Sequence, residues 1–346
     1  MNILSFFELC YKGLYSRIVS GNTGTGVFKN DGPYTVFIDV NKIAELHETS
    51  LDAEVVLGAN VKITDAINLL ATTNNEVWQG VASHLKKIAS YGIRNQGSLA
   101  GNLMMKNAHN DFPSDVFLSL ETSGAMLEIV NSDGQLTSIA VGELPMFEMT
   151  NKVLVRIRIP LGAKSNKKNN LNKLWLQAEP TNKRAGQEWK YRSYKIMPRS
   201  SNAHAYVNAG FLALVDTSDN FKIISKPRIV FGGINPGFVH ANATEEFLIG
   251  RNMNDHDMFM EALSILAAEL APDDEPVLAS ALYRKQLAMG LFYKVRINQN
   301  VENRTTFYFF LVLPLCLGKH CISCSTICSC RPRPRTVFQF SVLGNR

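Results

Sequence analysis

The chain has 346 residues, which at roughly 100–200 residues per domain predicts two domains. With 46% apolar and 19% charged residues, it is not a disordered chain, a collagen or a disulfide miniprotein. The net charge of +6 is concentrated: residues 161–195 carry +7 and residues 295–346 carry +6, so the remainder is acidic. That distribution argues against a general nucleic-acid face. Cysteine is skewed in the same way, with Cys10 alone and Cys316, Cys321, Cys324, Cys328 and Cys330 crowded near the end. A long body with one cysteine points to a reducing, cytoplasmic setting without a disulfide framework. Met1 to Cys10 lacks the basic start and small-residue cleavage site of a secretory signal. The longest apolar run, Phe307 to Gly318, is too short to cross a bilayer and is interrupted by Pro314.

In chain order, Ile18–Ser20 predicts a short strand that stops at Gly21-Asn22-Thr23-Gly24-Thr25-Gly26. Val36–Val40 predicts a second strand, Ile43–His47 a short turn or helix, and Glu54–Leu57 a third strand. Thr64-Asp65 opens a helix through Leu70, and Val77, Val81, Leu85 and Ile88 predict another over 77–90. Gly97–Asn102 reads as a small-residue turn, and Pro113-Ser114 introduces a helix over 115–120. Alternating runs at 125–130, 136–141 and 153–159 complete a first α+β unit over 1–160. Residues 161–192, rich in Asn and Lys and weakly periodic, read as a basic insertion without regular structure. A second unit over 193–297 predicts strands at 205–215, 222–224 and 228–232 and helices at 244–248, 259–270 and 283–292. An irregular Cys- and Arg-rich tail over 298–346 follows.

The Gly21–Gly26 turn follows a strand, where successive backbone N–H groups can converge on a phosphate. Its spacing is neither a Rossmann fingerprint nor a Walker A loop, and taken alone it is also what an ordinary β-turn looks like. Ser98-Leu99-Ala100-Gly101-Asn102 offers a hydroxyl, an amide and a glycine for close approach, or equally a helix-capping turn. Asp111, after His109-Asn110, suits ribose hydroxyls or the capping of the next helix. Lys195 and Arg199 place cations where a reduced, anionic flavin would be stabilised, or form a solvated basic loop. His47, His84 and His109 fit no zinc spacing. The C-x2-C step at Cys321 and Cys324, with Cys328 and Cys330, admits a zinc reading, but its surroundings favour an unfolded, reactive tail.

In combination these motifs are more specific. Gly21-Asn22-Thr23 after a strand, Ile93-Arg94-Asn95-Gln96-Gly97-Ser98-Leu99-Ala100-Gly101-Asn102, and Asp111 in the next loop resemble the FAD domain of the molybdenum hydroxylases, the xanthine dehydrogenases and aldehyde oxidases. The stretch 192–199 with Asn202-Ala203-His204 through Phe211 is most similar to insect-type aldehyde oxidases. Phe231-Gly232-Gly233-Ile234 and the segment from Tyr283 to Phe292 resemble the small domain that follows.

The resemblance implies an α+β, two-lobed FAD-binding domain and then a small domain of antiparallel sheet and helices. It implies that Ile18, Val19, Gly21, Asn22, Thr23, Gly24 and Thr25 wrap the pyrophosphate, with Ser98, Gly101, Asn102, Met104 and Met105 on the opposite wall. Asn110 and Asp111 would lie towards the ribose and adenine, and Leu154 and Lys195 towards the isoalloxazine. Ile88 stands where xanthine dehydrogenases stack a Phe on the flavin, and Asn202 where they carry an acid. Both differences favour the aldehyde oxidase branch, with oxygen rather than NAD as electron acceptor. Iron–sulfur clusters and the molybdenum cofactor belong to further domains of the full-length homodimeric enzymes, so this chain alone is not expected to hydroxylate substrate. The alternatives are a xanthine dehydrogenase fragment that reduces NAD, or a truncated chain without activity.

Overall fold

The computed structural model describes residues 16–28, 32–160, 186–274 and 279–300. The expectations for the N-terminal segment, the Cys-rich tail and most of the basic insertion lie outside those residues.

The first lobe opens with a parallel pair, β1 (Ser16–Val19) beside β2 (Val36–Asp39). A second sheet takes strands from both ends of the lobe. It comprises β3 (Thr49–Leu51), β4 (Glu54–Gly58), β5 (Met126–Asn131), β6 (Leu136–Ala140) and β7 (Lys152–Pro160). These are antiparallel in the order β3-β4-β7-β5-β6, so the last strand of the lobe returns between β4 and β5. The helices lie between β4 and β5 in sequence. In α1 (Ile63–Ala71), Ile63, Ala66, Ile67 and Leu70 recur at helical spacing and are all buried. Asn75 caps α2 (Glu76–Leu85), accepting from the Val77 and Trp78 N–H groups at 2.9 and 3.1 Å.

Three differences from the sequence reading have identifiable causes. The helix expected over 77–90 ends at Leu85; Lys87 and Ile88 bond back three residues, to His84 O and Leu85 O, and Ala89 then takes the left-handed φ of +43° that turns the chain away. Residues 91–96 form a six-residue helix, α3 (Tyr91–Gln96), too short to show apolar periodicity. The small-residue turn at 97–102 is instead the start of a helix, α4 (Leu99–Ala108), with the Ser98 hydroxyl accepting from Gly101 N–H at 3.1 Å.

Helix α5 (Asp115–Ser123) is buried at all nine positions. It packs on α2 and on strands of the second lobe, so its burial joins the two lobes. The second lobe contains β8 (Gln187–Ile196), β9 (Val207–Asp216), β10 (Lys222–Ile223), β11 (Arg228–Gly232) and β12 (Val239–His240), all paired antiparallel. Helices α6 (Asn242–Leu248), α7 (His256–Glu269) and α8 (Ala281–Asn300) accompany this sheet. Phe211, Phe231, Phe259 and Phe292 dominate its core.

Residues 187–192 are not the end of an irregular insertion; they are the first half of β8. Their charges are matched by α2, where Glu76 meets Lys190 at 3.1 Å and Arg192 at 2.5 Å. Between them Tyr191 is buried against Gly80, where an added Cβ would lie 2.2 Å from the Tyr191 ring.

Candidate functional site

A cavity of about 890 Å³ lies beside the end of β1. Its wall is formed by residues 16–24 with Val27 and Phe28, by the start and one face of α4, by Lys152–Leu154 of β7, and by Lys195 with Asn202–His204 of the second lobe. Of the predicted residues, Ile18, Val19, Gly21, Asn22, Thr23, Gly24, Ile88, Ser98, Gly101, Asn102, Met104, Met105, Leu154 and Lys195 all line it. Thr25, Asn110 and Asp111 do not belong to this lining. Thr25 hydrogen-bonds within the turn, its hydroxyl donating to Asn22 Oδ1 at 2.6 Å. The Asn110 carbonyl accepts from the buried Lys106 ammonium, and Asp111 is exposed.

The two predicted turns abut rather than facing each other. A Cβ on Gly21 would stand 1.9 Å from the Gln96 carbonyl oxygen, and one on Gly97 would stand 3.0 Å from Thr23 Oγ1. Only glycine permits the first approach, so Gly21 is required by packing before any ligand is considered. The backbone donors of the two turns differ. At the start of α4, the Leu99, Ala100 and Gly101 N–H groups already donate to Val61 O, Ala59 O and Ser98 Oγ. For the N–H groups of Asn22, Thr23 and Gly24, no acceptor is found among the described residues, while residues 23–26 form a hydrogen-bonded turn in which Val27 N–H donates to Gly24 O. Three successive unpaired donors on residues of the cavity wall suit an anion, while α4 contributes its dipole and side chains.

Behind the turn, Ser20 is held by a polar network. Its hydroxyl donates to the buried Asn60 side chain and accepts from Lys62 Nζ at 2.8 Å. Asn41 Nδ2 donates to the Ser20 carbonyl at 3.0 Å. Burial pushes the Lys62 ammonium below its ordinary value, against the opposing pull of Asp39 and Asp65.

At the other end of the cavity, Lys195 is not a free cation. Its side chain is only 3% exposed and donates to Asp115 Oδ2 at 2.7 Å and to the Lys87 carbonyl at 3.1 Å. Asp115 Oδ1 also accepts from Asn208 Nδ2 at 2.9 Å and pairs with His84 Nε2 at 3.2 Å. Burial opposes the Asp115 charge, but the His84 hydrogen bond and the Lys195 ammonium outweigh it and hold the carboxyl down to about 2. Burial pushes His84 below its ordinary value, against the pull of Asp115, and burial together with the Lys195 charge depresses His204. Asp115 and His204 both line the cavity, and sequence reasoning missed both. Asp115 was legible only as the first residue of a helix, and His204 only as part of a family-like stretch.

The fold and cavity together define a two-lobed flavoprotein unit. Residues 2–162 match the FAD binding domain in molybdopterin dehydrogenase, and residues 192–298 match the CO dehydrogenase flavoprotein C-terminal domain. The chain therefore belongs to the flavoprotein family of the molybdenum hydroxylases. It is 30% identical over 288 residues to Aldehyde oxidase 4 of Arabidopsis thaliana, covering 80% of this chain and 20% of that protein. It is 31% identical over 291 residues to an Indole-3-acetaldehyde oxidase of the same plant, covering 82% and 20% respectively. The chain thus spans about one fifth of the length of these relatives. Among solved structures, reconstituted CO dehydrogenase from Oligotropha carboxidovorans aligns with a TM-score of 0.65 at 18% identity, covering 85% of this chain and 93% of the other. Quinoline 2-oxidoreductase from Pseudomonas putida 86 aligns at 0.62 and 19% identity, covering 86% and 93%. No helix among the described residues is long and apolar enough to cross a membrane.

Proposed function

We propose that this chain binds FAD in the cavity beside β1 and serves as the electron-transfer module of an aldehyde oxidase-like enzyme, with oxygen as acceptor. The observation that carries the binding is the run of three unpaired N–H groups, Asn22 to Gly24, on residues that line the cavity. The pyrophosphate is the group that such a concavity fits. The remaining wall suits the rest of the cofactor: apolar Ile88 and Leu154 offer a slot for a planar ring, and the volume is near the upper end of ligand sites. In this reading residues 1–160 form the FAD-binding domain and 193–297 the small flavoprotein domain.

The bound flavin supplies the redox chemistry, accepting electrons from metal centres and passing them on. This chain's residues bind and orient it. The turn at 22–24 neutralises phosphate charge with backbone dipoles, and the Ser20–Asn60–Lys62 network fixes the residue before it. The Lys195–Asp115 pair gives the ring end a fixed dipole with no net charge, and His84 and His204 are both pushed towards their neutral forms by burial. Oxygen as acceptor rests on Ile88 and Asn202, both of which line the cavity. They leave it without a stacking aromatic at one position and without an acid at the other.

Release and quantitation of flavin from the purified chain tests the binding: about one FAD per chain is expected, and absence of flavin refutes it. Mixing the reduced flavoprotein with oxygen or NAD tests the acceptor. Fast reoxidation by oxygen and none by NAD is expected; the reverse would favour xanthine dehydrogenase-like chemistry.

A further inference from the structure

The turn from Gly21 to Phe28 runs beside α4 and is tied to its neighbourhood at both ends. At its start Gly21 packs on the Gln96 carbonyl, immediately before the helix. At its end the Phe28 ring lies flat on His109, just after the helix, with ring centroids 3.5 Å apart and planes 7° from parallel. Both rings line the cavity. Between the ties, Thr25, Gly26 and Val27 are exposed, and Gly26 takes φ +83° with nothing within 4 Å of an added Cβ. Phe112 meets Phe28 edge-on at 6.3 Å and His204 edge-on at 5.7 Å, so the stack is anchored to the opposite lobe through a buried ring.

We propose that the Phe28–His109 stack is the retention element of the site: it fastens the phosphate-binding turn against α4 and so holds the adenosine-diphosphate half of the ligand. The inference rests on the FAD reading above and deepens it. Thr23 packs on Gly97 and Gly24 on Met105, so the first half of the turn is seated against α4 and its far end depends on the ring stack. The Gly21 tie is backbone packing and is permanent. The ring stack is a side-chain contact that can open, and Gly26 supplies the conformational freedom for the movement. Lys106 supports the His109 side by donating to the Asn110 carbonyl and, at 3.3 Å, to the Pro236 carbonyl.

The test is the rate of FAD release after dilution, read by flavin fluorescence, in Phe28→Ala, His109→Ala and Phe28→Tyr. An aromatic pair is worth enough to speed release about three- to tenfold in each alanine variant, while Phe28→Tyr keeps the stack and the parent rate. Titration with ADP and with riboflavin as separate probes locates the effect: the alanine variants should bind ADP more weakly and riboflavin unchanged. Release within twofold of the parent in both alanine variants would overturn the proposal, as would equal losses for ADP and riboflavin. Should one alanine variant fail to fold, as judged by its melting curve, the other carries the test. A parent chain that holds no FAD refutes the cofactor reading separately, and the ADP arm still decides on the stack; if ADP does not bind either, both fall.

Discussion

Replacing Lys195 by Met removes the only ammonium within hydrogen-bonding distance of Asp115 among the described residues. The two side chains are 3% and 7% exposed, so the pair is largely shielded from solvent. Breaking a buried ion pair from one side costs about 3–5 kcal/mol, because it leaves an uncompensated charge. The hydrogen bonds from Asn208 and His84 remain and place the expected loss near the lower bound. At about 3 kcal/mol, the melting temperature falls by roughly 6 °C. The pH dependence gives a second readout. Because the Asp115 carboxyl is held down to about 2, its contribution is complete above about pH 4 and is lost as pH falls towards 2. In the variant the carboxyl moves upward, so the deficit against the parent is full at neutral pH and narrows in acid. Chemical denaturation of parent, Lys195→Met, Asp115→Asn and the double variant closes a cycle, and the coupling should exceed about 2 kcal/mol. A coupling below about 1 kcal/mol, the level of exposed pairs, would refute the argument.

The same substitution should lower the midpoint potential of bound flavin, since it exposes the Asp115 charge; Asp115→Asn added to Lys195→Met should restore most of it, as measured by redox titration. Gly101→Val should abolish FAD retention in a chain that still folds: Gly101 lines the cavity, and its Cβ would meet only Ser98 Oγ, at 3.1 Å. Gly21→Ala should instead damage the fold, because its Cβ would sit 1.9 Å from the Gln96 carbonyl oxygen; a melting curve like the parent's would contradict the abutting turns. His240 ties α5 to α6 through Glu121 at 2.9 Å and Glu245 at 3.6 Å. Although burial pushes it down, those carboxylates raise it to about 9. Its contribution is therefore complete below about pH 6.5 and is lost as pH rises through 9, with a slope of at most about 1.4 kcal/mol per pH unit that His240→Phe should flatten.

Much of the site was legible because its residues are fixed by local chemistry. A strand stopping at glycines, and a Ser-capped small-residue helix start, announce themselves within ten residues of sequence. The ordered combination then carried Lys195 and Leu154 to the same cavity. What stayed hidden depends on partners distant in sequence. Residues 187–192 look like an insertion because Lys190 and Arg192 are charged, yet both are matched by Glu76, more than a hundred positions earlier. Tyr191 can bury itself between them only because position 80 has no side chain, a pairing no window of sequence contains.

The role of Asp115 shows the same limit from the other side. In the sequence Lys195 reads as a cation that would stabilise an anionic reduced flavin, or as part of a solvated basic loop. Its charge is instead met by Asp115, a residue that local sequence marks only as the start of α5. Because α5 is buried on every face between the two lobes, the carboxylate is carried to the cavity by the packing of one lobe on the other. The electrostatics around Lys195 are thus a property of the lobe interface. A substitution that shifts α5, even far from the cavity, should alter the bound flavin through the Lys195–Asp115 distance.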